Sequence, residues 1–178
     1  MQLSFQGVRK MDAMEAILTR RSIRRFSKEK VPDEMIDRIL EAGMYAPSAG
    51  NEQAWQFIVV KEKDTLQKIS ELHPYAQMAR EASHAIVVCG DLSKERYKGF
   101  FVQDCSAATQ NILLAAHSLG IGAVWCAIYP RDKSDEFAKL FKLPENIVPF
   151  SLVPIGFPAE KKEKPNRFDK SLIHMNRW

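Results

Sequence analysis

The chain has 178 residues, enough for one domain that buries about two thirds of the surface its unfolded form exposes. With 46% hydrophobic and 27% charged residues it lies outside the disordered, collagenous and membrane classes. The formal charge of +4 is modest and its bases are mostly interleaved with acids, so nucleic acid is not an expected partner.

The longest apolar runs, Ala85 to Cys89 and Ile112 to Ala116, fall far short of the about 18 residues that cross a bilayer, so no membrane contact is expected. Residues 1–10 lack an apolar segment of secretory type and read as an extension ahead of a single domain over 11–178; a cytoplasmic protein is expected. Cys89, Cys105 and Cys126 sit in apolar runs without a CxxC pair, which points to reduced core residues. His73, His84, His117 and His174 have no metal-site spacing, and no metal is expected.

Between Asp12 and Thr19 the residues Ala13, Ile17 and Leu18 recur at helical spacing, and this helix runs into the cluster Arg20-Arg21-Ser22-Ile23-Arg24-Arg25. Pro32-Asp33 opens a second helix with Met35, Ile36, Ile39 and Leu40 on one face, ending near Gly43. The turn-forming stretch Ala46-Pro47-Ser48-Ala49-Gly50-Asn51 leads into a strand from Trp55 to Val60. Helical segments follow at Asp64 to Leu72 and Tyr75 to Glu81, and His84 to Gly90 reads as a buried strand.

From Phe101 to Leu119 apolar residues occupy nearly every face, the mark of a buried central helix. Gly120 and Gly122 stop it, and Ala123 to Ile128 reads as a third strand. Because these glycines follow a helix and open a strand, they are not a dinucleotide-binding loop, which has the reverse order. Asp132 to Phe141 is predicted helical, and Phe150 to Val153 begins a fourth strand interrupted by Pro154. Beyond Pro158 the sequence is too polar for a core, yet it ends in Trp178; a C-terminal arm that docks, as on a partner subunit, is expected. Helices outnumber strands without alternating with them, so the expected fold class is α+β.

Two constellations could carry chemistry. The guanidiniums of Arg20, Arg21 and Arg24 with the Ser22 hydroxyl can clamp a phosphate or face an anionic ring, although a solvated basic turn has the same composition. Pro47, Ser48, Ala49, Asn51 and Gln53 form a polar loop at a strand entrance, where binding loops sit; plain turn chemistry accounts for it equally.

Taken in order, Arg20-Arg21-Ser22-Ile23-Arg24, Ala46-Pro47-Ser48-Ala49-Gly50-Asn51-x-Gln53-x-Trp55, the Gln110-Asn111 helix ending in Leu119-Gly120-Ile121-Gly122, and the Asn176-Arg177-Trp178 terminus resemble the nitroreductase-like family of FMN enzymes. The resemblance runs from about Met14 to Trp178. It implies a central, largely antiparallel sheet flanked by helices, an intertwined homodimer with exchanged C-terminal arms, and FMN at the subunit interface. Arg20, Arg21, Ser22 and Arg24 would hold FMN from one subunit, with Arg24 tuning the flavin, and Pro47, Ser48, Ala49, Asn51 and Gln53 from the other. Arg167 would reach back to the phosphate, and a backbone N–H at Ala127 or Ile128 would meet flavin N5, although family members often carry glycine there. The implied activity is ping-pong hydride transfer from NADH or NADPH, through the flavin, to a small organic acceptor such as a nitroaromatic or a quinone, with no catalytic side chain. A non-catalytic flavin carrier would keep the same clamps.

Overall fold

In a computed structural model of the chain, residues 11–130 and 133–178 are described. The proposed N-terminal extension and Asp132, at the predicted start of a helix, lie outside them. Helix α1 (Ala13–Thr19) is opened by Asp12, whose carboxylate accepts from the Glu15 N–H at 2.8 Å. Its predicted apolar face is not its packed one: Ala13, Ile17 and Leu18 are exposed, and Ala16 is the residue that is buried. Helix α1 packs on α4 with Ala16 as its buried side chain, and among the described residues Ala13, Ile17 and Leu18 stay exposed.

Helix α2 (Asp33–Met44) buries Met35, Ile36 and Ile39 against α4 (Phe101–Ser118), the long central helix. Cys105, Ala108, Ile112 and Ala116 of α4 are fully buried, as their spacing predicts, whereas Gln103 and Gln110 keep one edge in solvent. Gly120 at φ +75° ends α4, with its N–H on the His117 carbonyl and the Ile121 N–H on the Ala116 carbonyl, a left-handed stop that suits glycine. Gly122 acts differently: a Cβ there would stand 2.7 Å from Ile23 Cγ2, so its role is to let the arginine cluster itself lie close.

The sheet is antiparallel throughout its ladders, in the order β1 (Trp55–Val60), β2 (His84–Asp91), β5 (Ile147–Gly156), with β3 (Gly122–Ala123) and β4 (Cys126–Ala127) both on the far edge of β5. Strand β2 is buried along its length because both faces are covered: Ile86 and Val88 meet α2 and α4, while Ala85, Val87 and Cys89 meet α3 (Lys63–Leu72) and α5 (Ser134–Phe141). The segment predicted helical from Tyr75 is a short 3₁₀ turn, Gln77–Glu81.

Pro154 does not interrupt its own strand, as predicted, but its neighbour's. β5 continues through it to Gly156, whereas the predicted third strand is split into β3 and β4. The two pieces share one register, Ala123 opposite Ile155 and Cys126 opposite Leu152, which puts Val124 opposite Pro154. The Ile155 carbonyl accepts from Ser83 on the β2 side, so the Pro154 nitrogen faces Val124, where it has no hydrogen to donate.

Candidate functional site

The predicted site residues gather at opposite ends of α4. At its C-terminal end, the Thr19 hydroxyl donates to the Glu15 carbonyl at 2.6 Å and meets His117 Nε2 at 2.8 Å, fixing the end of α1 to α4. The chain then turns into the arginine cluster and joins the sheet edge: Ser22 bridges Ala123 in parallel, and the Ile23 N–H donates to the Ala123 carbonyl at 3.0 Å. On its other side runs the polar C-terminal segment. Glu160 accepts the backbone N–H groups of Arg24 and Arg25, and Lys162 Nζ donates to the Ser22 carbonyl at 2.7 Å. These contacts hold the Glu160 carboxyl below its ordinary range, the Arg24 N–H being the largest cause and Lys162 adding to it.

Within this frame Arg20 is half-buried, and its Nη1 is a buried donor without a partner among the described residues. Burial, then the positive charges of Arg167 and Arg21, hold its guanidinium below the usual arginine value. The structure thus brings Arg20, Arg21 and Arg167 together around an unsatisfied cationic donor, which is the local chemistry of an anion site. Arg167 is distant in sequence and arrives because the arm folds back along residues 22–27. Ser22 lies in the same turn, and Arg24 faces outward from it.

At the N-terminal end of α4 the loop of Pro47, Ser48, Ala49, Asn51 and Gln53 is held from below. Asp104 Oδ1 accepts the Ala49 N–H at 2.9 Å, Ser48 Oγ accepts the Gln53 N–H at 3.0 Å, and Gln53 Nε2 donates to Asn51 Oδ1 at 3.3 Å. Asn51 at φ +57° and Gln53 at φ +52° adopt the left-handed conformation that non-glycine residues rarely take, and Gly50 between Ala49 and Asn51 does the same. Such backbone persists only where its surroundings impose it, and it concentrates at ligand-binding loops. Asp104 is buried, its Oδ2 is unpartnered, and burial followed by the charges of Glu52 and Glu95 raises its pKa despite the Ala49 contact.

Ala127 and Ile128 differ in availability. The Ile128 N–H donates to the Phe150 carbonyl at 3.1 Å, inside the sheet. Ala127 is exposed at the outer edge of β4. Beside it a groove of about 400 Å³ is lined by Arg24, Tyr75, Gln77, Met78, Trp125 and Cys126, among others. Sequence reasoning missed Tyr75, Gln77 and Met78 because it continued a helix through them; Pro74, directly after His73, was the available signal that α3 had ended. A larger hollow, about 740 Å³, lies near Phe26, Lys30 and His84, and contains none of the predicted site residues.

Thr19 meets α4 at His117 and Ala49 meets it at Asp104, thirteen residues earlier, so the two clusters stand about 20 Å apart along the helix. The arm also leaves unfinished business at the surface. Phe168, Leu172, Met175 and Trp178 are 74%, 75%, 79% and 100% exposed, and the Trp178 ring is stacked on His174 at 4.1 Å. Tyr45, at the end of α2, is 81% exposed. Cys89 and Cys126 are buried, with burial pushing their thiols up to about 12 and about 11, so neither is a nucleophile. Among the described residues no cluster of metal ligands occurs, and no helix is long and apolar enough to cross a membrane.

Comparison with known proteins adds three findings. The profile of the Nitroreductase family matches residues 17–73 and 71–157. A protein of Methanothermobacter thermautotrophicus, which carries the provisional name NADH dehydrogenase/NAD(P)H nitroreductase, is 52% identical over 96% of this chain and 90% of its own length. Among solved structures, a protein of the same provisional name from Parabacteroides distasonis superposes with a TM-score of 0.89 at 42% identity, covering 93% of this chain and 98% of that one. A provisionally named nitroreductase from Desulfovibrio desulfuricans, solved in complex with FMN, gives 0.80 at 32% identity, covering 93% and 96%.

Proposed function

Because the chain belongs to the nitroreductase family, we propose that its two clusters are the halves of an FMN site completed by a second copy, and that it passes electrons from NADH or NADPH to small organic acceptors such as nitroaromatics or quinones. The family and its named relatives make it an FMN-dependent NAD(P)H oxidoreductase. The acceptor, the ping-pong order and the dimer are our own reading. The observation that carries the site is the buried Nη1 of Arg20, unpartnered among the described residues, beside Arg21 and Arg167: three guanidiniums fit a phosphate dianion, and the Arg20 nitrogen remains unsatisfied without an acceptor.

FMN, when bound, would supply the redox chemistry, the transfer of reducing equivalents from a nicotinamide to an acceptor. The chain's own residues orient and tune it. Arg20, Arg21 and Arg167 would hold its phosphate, and Ser22 would serve the ribityl chain. Arg24, on the rim of the groove, would offer a cation to the flavin's pyrimidine edge and favour negative charge there. The Ala127 N–H is the backbone donor free to face N5, since that of Ile128 is used by Phe150. The groove beside Ala127 would give nicotinamide and acceptor a place to bind in turn, which favours catalysis over a carrier role.

Pro47, Ser48, Ala49, Asn51 and Gln53 cannot reach the phosphate cluster in their own chain across the length of α4, so they serve the site of the partner. The exposed apolar side chains of the arm and of α1 supply the surface that such a dimer buries. An anaerobic absorbance titration tests the whole reading. Flavin bands that bleach with NADH or NADPH and recover with a quinone are expected. Flavin bands that resist both nicotinamides would make the protein a carrier, and a colourless protein that cannot be reconstituted with FMN would overturn the proposal.

A further inference from the structure

We propose that His73 is a positioning residue for the cofactor site, a buried imidazole that fixes the outer edge of β4 so that the Ala127 N–H faces the groove. This rests on the reading of Ala127 given above. A strand of two residues cannot hold its own orientation, and β4 is tied to β5 on its inner side alone. On the outer side His73 Nε2 meets the Ala127 carbonyl at 2.9 Å. Within a strand the N–H and C=O of one residue point to the same side. The bond that anchors the Ala127 carbonyl therefore also directs the Ala127 N–H away from β5, to the outer edge of β4 beside the groove.

The imidazole is itself held from every direction. It is 3% exposed, and its backbone N–H closes α3 on the Ile69 carbonyl at 3.1 Å. Its Nδ1 accepts the Tyr75 N–H at 3.2 Å, so the single ring proton stands on Nε2, the nitrogen that donates to Ala127. Phe137 meets the ring edge-on at 6.2 Å. The same turn is stitched to β4 a second time, Cys126 Sγ donating to the Tyr75 carbonyl at 3.4 Å. One wall of the groove, Tyr75 with Cys126 and Trp125, is thus set by a bridge whose centre is His73. A ring packed only for its bulk has no need of two well-placed polar contacts; this one uses both nitrogens.

The test uses the full chain, FMN as the probe, and three substitutions. His73→Phe keeps the ring but loses both contacts, and His73→Asn is too short to reach Ala127. His73→Gln places an amide donor near the position of Nε2. One neutral hydrogen bond is worth about 1 kcal/mol, so the Phe and Asn variants are expected to bind FMN about fivefold more weakly. Their bound-flavin absorption bands should shift in position or fine structure, and their reduction by NADH should slow without a change in nicotinamide KM. His73→Gln should recover most of both the affinity and the spectrum. Should His73→Phe fail to fold, the Asn and Gln pair decides in the same way. Folded variants that match the wild type in affinity, spectrum and reduction rate would overturn the His73 assignment alone. A wild type that binds no FMN would overturn the parent proposal and this one with it.

Discussion

The two ends of α4 carry opposite kinds of unsatisfied polar atom. Among the described residues, at the C-terminal end it is a guanidinium nitrogen, Arg20 Nη1, among like charges; at the N-terminal end it is a pair of carboxylate oxygens, Asp104 Oδ2 and Glu52 Oε2, with Glu95 nearby. The difference lies in what can relieve each. A buried carboxylate facing other acids takes up a proton from water, and its raised pKa records that tendency. An arginine does not give up its proton at any ordinary pH, so its buried N–H is relieved only by an acceptor, the role the proposal gives to phosphate. The N-terminal end of α4 thus props a loop through Asp104, and the C-terminal end has the chemistry proposed above for holding an anion, although their compositions are equally polar.

Experiments can break this contrast in order of expected effect. Removing residues 164–178 takes away Arg167 and the exposed arm together; the truncated chain is expected to sediment as a monomer and to lose FMN altogether. If it remained a dimer, the arm would not be the dimer contact. Arg20→Met removes a charge-assisted contact worth about 1.5–3 kcal/mol, which predicts FMN binding weaker by about tenfold to a hundredfold in a fluorescence titration. In the same variant inorganic phosphate should no longer raise the melting temperature, as it should in the wild type. Undiminished phosphate stabilisation would place the anion elsewhere.

Asn51→Ala alters a left-handed position and a side chain of the partner's half-site, and an affinity loss of about fivefold to tenfold is expected. Asp104→Asn has the smallest expected effect and the opposite sign. The folded pKa of Asp104 lies above its unfolded value, so its ionised form costs stability, fully so above the folded pKa and not at all below the unfolded one. Asparagine keeps an acceptor for the Ala49 N–H without the charge. In urea titrations it should equal or exceed the parent near neutral pH and lose that advantage as the pH falls. A destabilised variant at neutral pH would mean that the charge, through the helix N-terminus, matters more than burial.

Much of the site was legible one element at a time. The arginine cluster, the polar loop and the buried α4 each follow from spacing and residue chemistry, and the glycine stop at Gly120 follows from the helix that precedes it. The failures are equally specific. The spacing of Ala13, Ile17 and Leu18 predicts the helix α1 but not the exposure of these residues, because periodicity reports an apolar stripe without saying what covers it. The third strand was read as continuous because the missing N–H that splits it belongs to Pro154, nearly thirty residues away in sequence. His73, predicted only as a histidine without metal spacing, is a bridge between α3 and β4.

The sequence by itself determined which segments could be helix, strand or turn, and which side chains had the chemistry to hold an anion. These depend on local backbone preference and on burial patterns that repeat every few residues. Only the tertiary structure decided that Arg167 stands beside Arg20, that Asp104 props the loop through Ala49, that Ile128 is spent within the sheet while Ala127 faces outward, and that the two clusters lie a helix length apart. Each of those is a meeting of residues remote in sequence, and the position of such meetings is fixed by sheet register and helix packing, to which no single segment has access.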